Sequence, residues 1–118
     1  MPAYCRNEKF LIVRDIKNFI LGLEKLLLTF PKNDIFTRNM VYCDSLEILE
    51  LVFMANYEKD KDKKSNYQVK AMSKINKVDF YLERAYKLKY LSEKQLMNKS
   101  NELLTINKMI YGWYKNEQ

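Results

Sequence analysis

The sequence contains no histidine. That removes the usual general base near neutral pH, the commonest metal ligand and every catalytic triad built on an imidazole. Glycine, proline and cysteine occur only twice each, and tryptophan once. With so few breakers, long helices are favoured over a sandwich or barrel that turns every ten residues. Gly22 and Gly112 stand alone, so no glycine-rich phosphate loop can form. Cys5 and Cys43 are too few and too far apart for a disulfide framework or a zinc site, as in an ordinary reduced intracellular protein. No long apolar run is present: residues 10–13 are followed at once by Arg14 and Asp15, well short of a signal peptide or membrane span. These absences predict a cytoplasmic protein with no membrane partner, no cofactor, no metal and no catalytic residues.

What remains is apolar and charged in a regular pattern. Hydrophobic residues make up 47% and charged residues 31% of the 118 positions, a composition that folds into one domain with its own core. The net charge is +6, unevenly placed. Residues 1–58 hold seven Lys/Arg against eight Asp/Glu, whereas residues 59–118 hold fourteen against seven. A basic half favours polyanionic partners.

Four segments carry apolar residues at alternating steps of four and three, the mark of a helix face pressed on neighbours. The first seam is Ile12, Ile16, Phe19, Leu23, Leu26 and Phe30, ended by Pro31. Asn33 or Asp34 then caps a second helix with Val41, Ser45, Ile48, Val52 and Ala55 inward. The mixed-charge run 58–64 is expected to be a solvated linker. Ser65 and Gln68 fit a capping box opening a third helix, with Ala71, Ile75, Val78, Leu82 and Ala85. Ser92 and Gln95 repeat that box before Leu96, Ser100, Leu103, Asn107, Ile110 and Tyr114. Helices over about 9–30, 34–58, 66–89 and 92–115, joined by short connections, predict an all-α fold. The expected topology is an antiparallel up-down-up-down four-helix bundle.

Two further patterns concern surfaces. On the second helix Leu46, Leu49 and Phe53 lie about 100–120° or more around the axis from the seam, broken only by Asp44, Glu47 and Glu50. Met97, Leu104 and Tyr111 form a similar strip on the fourth. A helix apolar on two sides needs two burials, so these six residues are expected at an oligomer interface. Lys70, Lys74, Lys77 and Arg84 fall within about 80° of arc on the third helix, with Tyr81 among them. Cations with an interposed aromatic suit a phosphate backbone and a stacked base. Arg14, Lys17 and Lys25 make a looser strip on the first helix. Glu47 and Glu50 share a face without partners and read as exposed helix acids.

The ordered set of segments resembles a known family. Residues 26–32 read Leu-Leu-Leu-Thr-Phe-Pro-Lys, residues 45–51 Ser-Leu-Glu-Ile-Leu-Glu-Leu and residues 55–57 Ala-Asn-Tyr. Residues 89–95 read Lys-Tyr-Leu-Ser-Glu-Lys-Gln, and residues 112–115 Gly-Trp-Tyr-Lys. From about Lys9 to Lys115 the chain is similar to the accessory variability determinant proteins of diversity-generating retroelements. These belong to the wider four-helix-bundle group that includes proteins encoded in 23S rRNA intervening sequences. The resemblance implies a barrel-like homopentamer that binds RNA or DNA and the reverse transcriptase of the same retroelement, supporting mutagenic cDNA synthesis without catalysing it. The alternative within the group is an intervening-sequence-type protein acting as an RNA-binding or protein-binding adaptor. That branch often carries Ile-Pro-Ala-Asn in its second helix, and residues 46–55 lack it. Arg38 is the only basic residue of the second helix, a departure that weighs against nucleic-acid contact there.

Overall fold

A computed structural model describes residues 3–117, with side chains described for residues 11–117. Cys5 falls outside the described side chains. Four helices follow in order: α1 (Ala3–Leu27), α2 (Ile35–Tyr57), α3 (Lys61–Lys87) and α4 (Glu93–Asn116). No strand occurs among the described residues. Helix α1 packs on α2 and α4, and α3 packs on α2 and α4, so α1 and α3 face each other diagonally, as do α2 and α4.

The seams predicted for α1, α2 and α3 are buried at every position, including Ser45, whose hydroxyl donates to the Val41 carbonyl at 2.7 Å. Each buried Leu, Ile or Phe contributes on the order of 1.5–3 kcal/mol, and together they offset the ordering of the chain. Cross-helix polar pairs fix the register. Thr37 meets Arg84, Asp44 meets Lys77 and Glu47 meets Lys74, so partner numbers fall along α3 as they rise along α2.

Helix α1 begins at Ala3, earlier than the expected start near residue 9, and three further boundaries or faces differ from the sequence expectation. Helix α1 ends at Leu27, not Phe30. Thr29 and Phe30 close a turn onto the carbonyls of Leu26 and Leu27, while Phe30 remains buried against Tyr90 at 5.3 Å between rings. Helix α3 begins at Lys61, so most of the run 58–64 is helical and the connection is only 58–60. Asp60 is the true cap, accepting from the Lys63 amide at 2.9 Å, and Asp62 complements the first turn. Gln68 therefore lies inside the helix, 1% exposed, with neither end of its amide hydrogen-bonded among the described residues.

The third difference is rotational. Helix α4 starts as expected, with the Ser92 and Gln95 capping box complete. Its buried line, however, is Leu103, Ile106, Ile110 and Trp113. Leu96, Ser100, Asn107 and Tyr114 are half-buried flanks. Two bulky apolar groups, Ile106 and the Trp113 indole, occupy the centre, and the polar members of the 4/3 series are turned aside toward α3. Trp113 is held where α3 begins and α4 ends: its Nε1 donates to Glu117 at 2.9 Å, and Lys64 pairs with Glu117 at 2.9 Å.

Candidate nucleic-acid interface

The basic stripe of α3 does not stand clear of the protein. The Lys74 ammonium lies 2.9 Å from Glu47 and 3.4 Å from Asp44, and that of Lys77 lies 3.4 Å from the other Asp44 oxygen. Asp44 is only 3% exposed, although its position in the sequence suggested a break in the apolar circumference of α2. A carboxylate at that depth is strongly disfavoured without cations beside it. Hydrogen bonding to Glu47, with the Asp44 charge behind it, holds the Lys74 ammonium above its ordinary pKa despite partial burial. Arg84 donates to the Thr37 hydroxyl at 2.7 Å. Lys70 is exposed and makes no ion pair among the described residues. Tyr81 is half-buried against the core, its ring 5.8 Å from that of the exposed Phe80. The stripe is thus an α2–α3 latch, and a polyanion drawn to Lys74, Lys77 or Arg84 competes with partners already in place.

Arg84 also belongs to a network at one end of the bundle. Asp34 caps α2 by accepting from the Thr37 amide at 3.1 Å and its hydroxyl at 2.9 Å, and it accepts from the Tyr90 hydroxyl at 2.6 Å. The Tyr90 bond, then the Thr37 bonds, hold the Asp34 carboxyl below its ordinary pKa; the same contact pushes the Tyr90 phenol up. The network ties the α1–α2 connection to the end of α3.

The strip expected on α1 is not continuous with that on α3, because the two helices lie diagonally. Arg14 pairs with its neighbour Asp15 at 2.9 Å, and Lys17 is exposed on the outer face. Lys25 lines a groove between α1 and α4.

The apolar strips are exposed in part. On α2, Leu46 is 41% exposed, while Leu49 and Phe53 are half-buried. Tyr42, one turn earlier, reaches Glu24 on α1 at 2.6 Å, a bond that raises the phenol pKa and locates the strip beside the α1–α2 seam. Leu21 and Leu28, three before and four after Glu24, extend that flank. On α4, Met97, Leu104 and Tyr111 are each more than half exposed. Ser100, between Met97 and Leu104, donates to Asp79 on α3 at 2.7 Å, so this strip borders the α3–α4 seam. The two strips therefore occupy opposite flanks of the bundle.

Polar seam residues do not converge on an interior cavity: Ser45 bonds backbone, Ser100 bonds Asp79, and the Asn107 carbonyl oxygen has no hydrogen-bond partner. Cys43 is an exposed free thiol. Among the described residues no group of three or more Cys, Asp or Glu is placed to hold a metal ion, and no helix is long and apolar enough to cross a membrane.

No protein-family model and no curated protein matches the chain. Among solved structures, the fold is similar to that of a protein of unknown function from the S23 ribosomal protein family of Bacteroides thetaiotaomicron VPI-5482. The two superpose with a TM-score of 0.83 over 92% of this chain and 98% of that chain, at 14% sequence identity. The likeness is one of fold: a four-helix bundle.

Proposed function

We propose that this protein is a non-catalytic adaptor, a four-helix bundle of the 23S rRNA-intervening-sequence type that works by association. The observation that carries the reading is the pair of apolar strips on opposite flanks. Leu46 with its half-buried neighbours Leu49 and Phe53 lies beside α1, and Met97, Leu104 and Tyr111 lie beside α3. Two unlike surfaces on opposite sides favour a heterologous contact, in which the α2 strip of one copy packs on the α4 strip of the next and the rotation closes a ring. A barrel-like homopentamer is the closed form that the family resemblance implies. The descending residue pairs along α2 and α3, and the short connections, support an up-down-up-down antiparallel subunit. The ring would expose the connecting loops for a protein partner.

The narrower reading is an accessory factor for a retroelement reverse transcriptase in the cytoplasm. Its support lies in the sequence resemblance; the fold likeness to an S23-family protein favours the broader adaptor reading.

Sedimentation equilibrium tests the adaptor reading. The unmodified 14.3 kDa chain is expected to run as a multiple of its own mass, and Leu104→Glu as a smaller, equally helical particle. A wild-type monomer at tens of micromolar would remove the reading's main support.

A further inference from the structure

One end of the bundle gathers exposed apolar side chains and unpaired cations together. The α1–α2 and α3–α4 connections meet there: Phe30 packs on Tyr90 at 5.3 Å between rings, and the Tyr90 hydroxyl donates to Asp34 at 2.6 Å. Around these two turns Leu28, Ile35, Phe36 and Leu88 are all exposed, Leu28 by 80% and Phe36 by 62%. They protrude, and they line neither of the neighbouring grooves. Tyr86, in the last turn of α3, is exposed at the same end.

The charge is just as uneven. Residues 24–38 and 84–96, which form this end, hold seven Lys/Arg against three Asp/Glu. Residues 54–64 and 113–118, from the opposite end, hold five against four. Of the seven, Lys25, Lys32, Lys87, Lys89 and Lys94 are exposed and make no ion pair among the described residues. Lys89 closes α3 with a φ of 67°, in the left-handed region where glycine is the low-cost choice. Turn bonds from its amide to Tyr86 and from the Tyr90 amide to Ala85 hold it there. The chain thus carries a cation at this tip at some conformational cost.

We propose that this end is a docking surface for an anionic lipid bilayer. Leu28, Ile35, Phe36 and Leu88 enter the boundary between headgroups and acyl chains, and the surrounding lysines face lipid phosphates. A protein partner must offer a pocket for each protruding side chain, whereas that boundary yields to any shape. Lysines draw the tip to anionic headgroups, and a tyrosine ring suits the headgroup level. Among the described residues no helix is long and apolar enough to cross a membrane, and the expectation of no membrane partner is a statement about spanning. Contact with one leaflet needs no spanning helix. The inference draws on the adaptor reading only for avidity, since cyclic symmetry would set the same end of every copy in one plane. The opposite end is left to a protein partner.

The test is co-sedimentation with vesicles of phosphatidylcholine containing about one-third phosphatidylglycerol, with helicity and particle mass measured on the same samples. The wild type should bind these vesicles at least about tenfold better than phosphatidylcholine alone, and less well as salt rises. Leu28→Ser with Phe36→Ser should weaken binding about tenfold or more and leave its salt dependence unchanged. Lys87→Glu with Lys89→Glu should weaken it by a similar factor, about tenfold or more, and flatten the salt dependence. The bundle is 46 Å long, several screening lengths, so Tyr57→Ser with Lys59→Glu at the opposite end should change binding less than about twofold. In Phe36→Trp the new indole emission should shift to the blue on adding anionic vesicles and be quenched by brominated acyl chains; Trp113 is already buried and gives a constant background. The inference fails if the folded wild type ignores anionic vesicles, or if the opposite-end variant loses binding while both tip variants keep it. It fails equally if the introduced indole stays in water while the protein pellets. Uptake of an acidic amphipathic peptide in place of vesicles would overturn it too, reassigning this end to a protein partner. A monomeric wild type that still binds through the tip removes the ring alone, so the two readings fail separately.

Discussion

Two lysine-rich surfaces of this bundle differ in what they do with their charge. On α3, Lys74 and Lys77 converge on a buried Asp44 and Arg84 bonds Thr37, so three of the four cations hold two helices in register. Lys25 lines a groove between α1 and α4, and Lys87 and Lys89 line a neighbouring cleft where α3 turns into α4, all three without carboxylate partners among the described residues. A tidy helical stripe of cations is therefore no measure of charge offered to a ligand. What matters is whether the neighbouring helix brings acids to it, and a buried acid gives the stripe a structural task first.

The strongest way to break the comparison is to remove the cations of the latch. Lys74→Met combined with Lys77→Met leaves Asp44 buried and uncompensated, and about 3 kcal/mol of stability should be lost in urea unfolding. Adding Asp44→Leu should restore most of it, since an apolar group of similar size needs no counter-charge. If the double variant is as stable as wild type, the latch is only a surface pairing.

An intermediate effect is expected from pH. The Asp34 carboxyl has a lowered pKa, so its contribution is present above the ordinary value near 3.8 and is lost as pH falls through the lower folded value. Tyr42, Tyr90 and Lys74 have raised values, so their contributions are complete below about 10 and disappear as pH rises through the folded values. Urea midpoints should hold steady between about pH 5 and 9 and fall beyond both edges. Tyr90→Phe should move the acid edge to higher pH, because the largest cause of the Asp34 shift is gone; an unmoved edge would remove Asp34 from the account.

The smallest effect should come from the lysines of these two grooves. Lys25→Glu, Lys87→Glu and Lys89→Glu should each change stability by no more than about 0.5 kcal/mol, as for surface residues without partners. A larger loss in any of them would show that the groove lysines, like those of α3, serve the fold.

The fold was largely legible from periodicity. Every apolar position assigned to the cores of α1, α2 and α3 is buried, on α2 even beside the second apolar series through Leu46, Leu49 and Phe53. On α4 two series were available, and the one through Ser100 and Asn107 obscured the one through Ile106 and Trp113. The start of α3 is obscure in the sequence because a mixed-charge run without glycine or proline resembles a linker in composition, yet Asp60 and Asp62 make it a good helix start. The site was less legible. Burial of Asp44 depends on Lys74, thirty residues later, and local pattern carries no information about that register. Lys87 and Lys89 fall outside any sequence pattern because they straddle a helix end, where helical spacing no longer groups residues.

The account depends most on the two apolar strips meeting between copies. Leu46→Glu keeps an intact α4 strip and Leu104→Glu an intact α2 strip, so each variant alone should sediment as a 14.3 kDa monomer. Mixed in equal amounts, they should form a particle of twice that mass and nothing larger, since only one good interface can form. If both variants assemble as the wild type does, or the mixture stays monomeric beside an assembled wild type, the strips are not the joint and the account fails.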